Sequence, residues 1–423
     1  QHPSPHNNRP NQFNDGPLVG RDALLTEVGN GLVTGPNDPR YTSILMGVRG
    51  SGKTVALNEI EDRAAADGWV VLSMDAGTPG LLERIVQTIS QADHTYEALN
   101  LAEDVDSRSV EKSIGIRLGV VEGKIAATEH RDHRANMGLR EHLTRLVQVA
   151  QQHDTSVLLT VHELQGIDRL EGRRLSNDLQ HITRRAGLPL AFLGAGLLEL
   201  KHTLMRDRKM TFFHRCEHFD MPPLAIEDAV VGLSGTIRSA KGTITDEALR
   251  LASKAVNGSP YRLQVIGDIA WKTAGGPEGV IDSAAVGVAI DTAGEVVSAK
   301  IGIPAWHDLS EGDQSLLGAV AANGGIANSA EAAQYSNISE KAANSVLRRL
   351  ADLGYLERHA RGTYRFTDLV TKEVALAETE HPEASGDTSE SRNAPRQQCR
   401  RWMPRATAYC VLQKGHSGGC RSK

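Results

Sequence analysis

"YTSILMGVRGSGKT", Tyr41 to Thr54, decides how the rest of the chain is read. Ile44, Leu45 and Met46 form a short apolar run with the look of a buried strand, and Gly47, Gly50 and Gly52 then remove side chains where the backbone must turn. Val55 to Asp67, directly after, reads as a helix. Gly47, Gly52, Lys53 and Thr54 satisfy the spacing G-x-x-x-x-G-K-[ST] in the strand–loop–helix setting that gives the motif its meaning. The chemistry follows from the residue types. The glycines let the backbone N–H groups from Gly50 through Val55, including that of Ser51, wrap an anion, and the helix N-terminus adds positive potential. Lys53 is expected to neutralise the outer phosphates and Thr54 to offer its hydroxyl to Mg²⁺, so ATP and Mg²⁺ are the expected ligands.

Outward from this loop, "WVVLSMDAG", "TSVLLTVHELQGID", "LPLAFLGAG" and "CEHFDMPPL" supply further strands separated by helical segments. Alternating strands and helices predict an α/β fold, a mostly parallel sheet in three αβα layers over residues 17–224. Upstream, Leu24, Leu25, Val28 and Leu32 mark one face of a short helix. Between Pro79 and Asp154 lies an insertion in which "SIGIRLGVVEG" alternates like a small hairpin. From 225 to 303 helices take over, among them "TDEALRLASKAV" capped by Thr245, which predicts a helical lid and connector. Residues 304–377 show three helices followed by two short strands around Arg361-Gly362, a winged helix-turn-helix.

The ends differ from the middle. Residues 1–16 are polar and Pro/Asn-rich, expected to be a disordered leader, and 378–398 read as a linker. The chain of 423 residues is 40% hydrophobic and 23% charged, which is ordinary for globular domains, and has no run of about 18 apolar residues. A soluble, cytoplasmic protein without membrane contact is expected. Its net charge of −5 conceals a basic tail, since from Ser391 to Lys423 there are eight Lys/Arg and no acid. Within residues 399–423, Cys399, Cys410, His416 and Cys420 make one tetrahedral set of Zn²⁺ ligands, the alternative being reduced thiols in a basic tail.

Together, "LVGRDALLTEVGNGL", "GVRGSGKT", "LLTVHELQ", "LPLAFLGAG", "FFHRCEHFDMPPL" and "NGSPYRL", followed by a winged helix, resemble AAA+/STAND-like ATPases. Within that group the chain looks most similar to proteins between archaeal origin-recognition initiators and signalling ATPases of bacteria and phage, over about residues 13 to 375. The resemblance implies that Val19, Gly20 and Arg21 lie near the adenine, with Pro260 beside it. It also implies that Arg215 reads the γ-phosphate and that Arg262 is a lid sensor. At the end of the "LLTVHELQ" strand relatives carry Asp-Glu, where the Asp holds the metal's hydration shell and the Glu polarises water. Here Glu163 is present, but His162 replaces the Asp, and imidazole is a poor partner for Mg²⁺. Gly194, Ala195 and Gly196 also offer no polar sensor side chain. ATP binding with weak hydrolysis is therefore expected, and an Asp at 162 is expected to raise turnover.

In the winged helix, Ser339 is expected to cap the recognition helix, with Ala342, Val346, Leu347 and Leu350 toward the core. Lys341, Asn344, Arg348 and Arg349 on that helix and Arg361 in the wing are the expected DNA contacts, with the basic tail assisting. A protein partner or a second copy remains the alternative for this module. The leading reading is an ATP-controlled switch acting through the winged helix. An active DNA-transaction ATPase and a nucleotide-stabilised adaptor are the competing ones.

Overall fold

A computed structural model of the protein describes residues 18–102, 117–118, 138–380, 402–403 and 408–409. The expected leader and most of the linker and Cys/His tail thus lie outside the described residues; the exceptions are 378–380, which are helical where the linker was expected to begin, and a short strand pair in the tail. Residues 1–379 form one compact unit and 380–423 another.

The first unit opens with α1 (Asp22–Thr34), then β1 (Thr42–Met46), α2 (Lys53–Ala66), β2 (Val70–Asp75) and α3 (Leu81–Ala102). After β3 (Arg117–Leu118) come α4 (Leu139–Gln152), β4 (Val157–His162), α5 (Arg169–Gln180), β5 (Leu190–Gly196), α6 (Thr211–Arg215) and β6 (Glu217–Asp220). The six strands lie in the order β3-β2-β4-β5-β1-β6, with every pairing parallel. Why these segments are strands is visible in how they are buried. Val157, Leu159 and Val161 pack into the core on one face of the sheet, whereas Leu158 joins the core on the other. Strand side chains alternate in direction, so a strand covered on both faces must be largely apolar, and β1, β4 and β5 are buried along nearly their whole length. Each such fully buried aliphatic side chain contributes roughly 1.5–3 kcal/mol. Within the insertion, Arg117–Leu118 pairs in parallel with β2, so what is described there extends the sheet; the rest of the expected hairpin lies outside the described residues.

The lid comprises α7 (Ile226–Ser239), β7 (Thr243–Ile244), α8 (Asp246–Ala255), α9 (Pro260–Thr273), β8 (Val280–Ile281) and α10 (Ser283–Val297). Thr245 caps α8 by accepting from the Ala248 N–H at 3.3 Å. The lid is not purely helical, because β7 and β8 pair in parallel. A wide π-helical turn, Ser298–Gly302, leads into α11 (Ile303–His307), α12 (Glu311–Ala322), β9 (Ile326–Asn328), α13 (Ser329–Ser336), α14 (Glu340–Asp352), β10 (Leu356–Ala360), β11 (Thr363–Phe366) and α15 (Lys372–Glu380). Antiparallel β10-β11-β9 completes the wing, and Ser339 caps α14 at Ala342 N–H. Ala343, Leu347 and Leu350 are the buried positions of α14; Val346 is half-buried and Ala342 exposed, a correction of one position to the expected face. In the second unit, β12 (Trp402–Met403) pairs with β13 (Ala408–Tyr409). Among the described residues no helix is long and apolar enough to cross a membrane.

Candidate nucleotide site

Chain direction puts the C-terminal ends of β1, β4 and β5 side by side, the edge of a parallel sheet where ligands bind. The loop of residues 47–52 leaves β1 here. Gly50 and Gly52 take φ of 75° and 88°, left-handed values that favour glycine. A Cβ on Gly47 would stand 2.5 Å from Ser51 Oγ and 2.8 Å from Met221 Cβ, so this position has no room for a side chain. Ser51 Oγ is buried without a hydrogen-bond partner. Lys53 is buried at the start of α2 and turns back on the loop, donating to the carbonyls of Gly47 (3.1 Å) and Val48 (2.9 Å). Burial pushes its ammonium down to about 8, with Glu163 pulling it up and Arg49 pressing it lower.

A cavity of about 330 Å³ opens over this loop, lined among others by Arg49, Gly52, Lys53, Thr54, Val55, Glu163, Tyr261, Gln264 and Lys300. It adjoins a cleft of about 1000 Å³ through Arg49, Gly50, Pro260 and Ile301, which line both. The residues fit a nucleotide triphosphate: a glycine cradle, an orphaned buried hydroxyl and a lysine meet at a helix N-terminus. For Mg²⁺ the cavity offers the hard oxygens of Thr54 and Glu163, which suits an ion that keeps several waters.

His162 does not face that cavity. Its Nε2 lies 3.1 Å from Oε1 of Glu61, a side chain of α2 with no exposed surface. The same oxygen accepts from Thr160 Oγ1 at 2.5 Å and Ser73 Oγ at 2.9 Å. Burial raises the Glu61 carboxyl, but the bonds from His162, Thr160 and Ser73 outweigh it and hold the group below the usual carboxylate range. The imidazole therefore stitches β4 to α2, which corrects its expected place beside the cofactor. Asp75, paired with His162 in the sheet register, is engaged by the Gly77 N–H at 2.6 Å.

Glu163 does line the cavity, on a left-handed backbone with φ of 49°. The Gln165 amide donates to its carboxylate, while Gln165 Oε1 accepts from the Leu197 N–H at 3.0 Å. A Cβ on Gly194 would meet Leu164 Cδ2 at 2.9 Å, and one on Gly196 would meet Leu200 Cδ1 at 2.5 Å and Gln165 Oε1 at 2.8 Å. The end of β5 carries no sensor side chain because its neighbours fill the space.

Other expected contacts are placed differently. Arg21 is buried and donates to the carbonyls of Ser51 (3.1 Å) and Pro222 (2.7 Å), so it clamps the loop, and it lines neither cavity. Burial lowers its guanidinium's pKa from its ordinary value. Val19 packs toward Gly232, and Gly20 toward Leu224 and Asp228, at the start of the lid. Neither lines either cavity. Arg215 is exposed on α6 and lines neither. Pro260 and Arg262 do line the cleft, but Arg262 NH1 is 3.0 Å from Asp368, which also accepts from Asn257 at 2.7 Å.

What the sequence did not announce is that the winged helix sits on the phosphate loop. Arg49, inside the loop, pairs with Asp308 at 2.6 Å. Val48 Cγ1 stands 2.5 Å from where a Gly354 Cβ would be, and Ile301 Cδ1 stands 2.6 Å from a Cβ on Gly50. Asp308, Gly354 and Asp368 belong to the winged-helix segment. The signal for this was a lone arginine at a free position of the motif.

The Walker-type ATPase PABY2304 of Pyrococcus abyssi superposes with a TM-score of 0.62, at 15% identity over 88% of this chain and 99% of that one. The ORC2 protein of Aeropyrum pernix, solved as ADPNP-ADP complexes, gives 0.58 at 15% identity, over 88% and 96%. This chain has the fold of a P-loop ATPase. Residues 316–367 match a family described as "Transcriptional regulator, AbiEi antitoxin", which falls on the winged helix of this chain. No curated protein matches the chain.

On the winged helix, Lys341, Arg348 and Arg361 are exposed and Asn344 is half-buried. Arg349 is instead paired with the buried Asp313 of α12, which makes it a bond within the module. Cys399, Cys410, His416 and Cys420 lie outside the described residues, so the zinc expectation meets no geometry. Among the described residues no group of three or more His, Cys, Asp or Glu is arranged to hold a metal.

Proposed function

We propose that this protein is a nucleotide-controlled regulator: ATP with Mg²⁺ binds at the phosphate loop, is hydrolysed slowly, and sets the position of a winged helix that binds duplex DNA. The observation that carries the reading is the seating of the winged helix on the loop itself, through Arg49–Asp308, Val48 against Gly354 and Arg262–Asp368. Phosphates entering the cavity draw on Arg49, the same cation that holds Asp308. Slow hydrolysis is supported by the commitment of His162 to Glu61 and by the lack of a polar side chain at the end of β5. Mg²⁺, held through Thr54 and Glu163, would neutralise phosphate charge. The regulator family matched by residues 316–367, and the exposed Lys341, Arg348 and Arg361, support DNA as the partner. The ADPNP-ADP complexes of the ORC2 relative support an adenine nucleotide.

The test is fluorescence anisotropy of a labelled duplex library at several salt concentrations, with a non-hydrolysable ATP analogue or ADP present. A difference of fivefold or more between the two nucleotide states is expected. Equal duplex affinity in both states refutes the coupling, and no duplex binding even at low salt moves the module to protein contact.

A further inference from the structure

We propose that Lys300 is the contact for the terminal phosphate of a nucleoside triphosphate, and that it carries the nucleotide's state into the winged helix; this rests on the nucleotide reading above. Lys300 lines the phosphate-loop cavity together with Lys53, Thr54 and Glu163. The other cations lining the same cavity already hold protein groups, Lys53 two loop carbonyls and Arg49 Asp308; in the adjoining cleft Arg262 is paired with Asp368, and Lys254 lines that cleft but not the phosphate-loop cavity. Lys300 is exposed and, among the described residues, makes no ion pair. A lysine is a compact point charge with three donors on a flexible stem, which suits a phosphate arriving and leaving.

Its place in the chain gives the contact a consequence. Lys300 lies in the π-helical turn Ser298–Gly302, between lid helix α10 and α11 at the start of the winged-helix segment. Single π-helical turns inside helices are rare and are frequent at functional sites. The next residue, Ile301, packs on Gly50 of the loop and also belongs to the core of the winged helix. A pull on Lys300 is therefore transmitted through one peptide unit to a side chain that touches both modules. Diphosphate, lacking the outer group, would leave Lys300 without that pull.

The experiment measures affinities of the full chain for AMP-PNP and ADP by calorimetry, in wild type, Lys300→Ala, Lys300→Met and Lys300→Arg. Wild type is expected to prefer AMP-PNP. Lys300→Ala and Lys300→Met should each lose tenfold or more in AMP-PNP affinity with ADP affinity held within twofold, and Lys300→Arg should recover part of the loss. Hydrogen exchange across residues 303–309 and 354–369 should respond to AMP-PNP in wild type but not in Lys300→Met. An unchanged AMP-PNP/ADP ratio, or equal losses for both nucleotides with no recovery by arginine, overturns the proposal while leaving the nucleotide site standing. Wild type that binds neither nucleotide overturns the nucleotide reading and this proposal with it.

Discussion

Replacing His162 with Asp restores the acid that P-loop relatives carry at this position, yet the structure predicts a damaged protein. His162 Nε2 is 3.1 Å from Glu61 Oε1, and the Glu61 side chain has no exposed surface. Asp is shorter than His, so its nearer oxygen would stand about 4 Å from that carboxylate. At this separation, with an effective dielectric of about 20, two like charges repel by about 4 kcal/mol. Loss of the hydrogen bond to a charged group adds about 1.5–3 kcal/mol, but side-chain rearrangement and shared protonation relieve part of the total. A loss of about 2–4 kcal/mol at pH 7.5 is expected, read from urea unfolding followed by the fluorescence of Trp69, Trp271 and Trp306. The sign of the pH dependence is fixed. The carboxylate pair in the variant takes up a proton more readily folded than unfolded, so the penalty is full at neutral pH and fades as pH falls through the raised folded value. His162→Asp with Glu61→Gln should regain most of the stability, because the like charge is gone while Thr160 and Ser73 keep a polar partner. ATP turnover of His162→Asp should not exceed that of wild type. A single variant as stable as wild type at pH 7.5, or a clear rise in turnover, refutes the placement of His162 against Glu61.

Three further outcomes follow from the same geometry, and a fourth from the sequence of the tail. Lys53→Ala should bind ATP at least tenfold more weakly, and because burial holds Lys53 near pH 8 in the free protein, ATP binding to wild type should take up a proton above that pH, seen by calorimetry in buffers of different ionisation heat. Asp308→Ala should change stability by less than about 1 kcal/mol, since the pair with Arg49 is partly exposed, but should tighten ATP binding and raise hydrogen exchange across residues 303–309. Lys341→Ala with Arg348→Ala should weaken duplex binding and lower its salt slope by about two charges' worth without loss of stability, whereas Arg349→Ala should cost about 3 kcal/mol or less in stability by leaving the buried Asp313 carboxylate with the Ser310 hydroxyl but without its cation. If the tail ligands converge, elemental analysis should find about one zinc per chain, lost in Cys410→Ser.

Strands β1, β2, β4 and β5 were legible because burial on both faces forces a largely apolar run, and the phosphate loop because its chemistry needs glycine, lysine and threonine at fixed spacing. Caps at Thr245 and Ser339 were legible for the same reason: one local hydrogen bond selects the residue type. The two-residue strands β7 and β8 are too short to display a period. On α14 the buried set Ala343, Leu347 and Leu350 follows helical spacing, and the expected face was set one position off at Ala342 and Val346. Pairings between distant polar groups left no trace in pattern. Arg49 and Asp308 are 259 residues apart, Glu61 and His162 are 101 apart, and each residue alone reads as an ordinary surface charge or a motif variant. The single substitution that did show, His for Asp, marked the right strand but gave the wrong neighbour.

Magnitudes indicate which of these pairings can move during a nucleotide cycle. Breaking the Glu61–His162 contact would take one of several hydrogen bonds from a carboxylate with no exposed surface, at a cost of about 1.5–3 kcal/mol, so β4 and α2 should stay together in every state. Arg49–Asp308 and Arg262–Asp368 are partly exposed, and exposed pairs contribute about 0.2–1 kcal/mol each. Releasing both costs at most about 2 kcal/mol, within reach of a phosphate's charge-assisted hydrogen bonds to the same cations. Since about 1.4 kcal/mol is a tenfold change in population, nucleotide should shift the winged helix by roughly ten- to thirtyfold and not all-or-none. The moving boundary is then the mouth of the phosphate cavity, where Val48, Ile301 and Gly354 meet, while the sheet behind it serves as the fixed support.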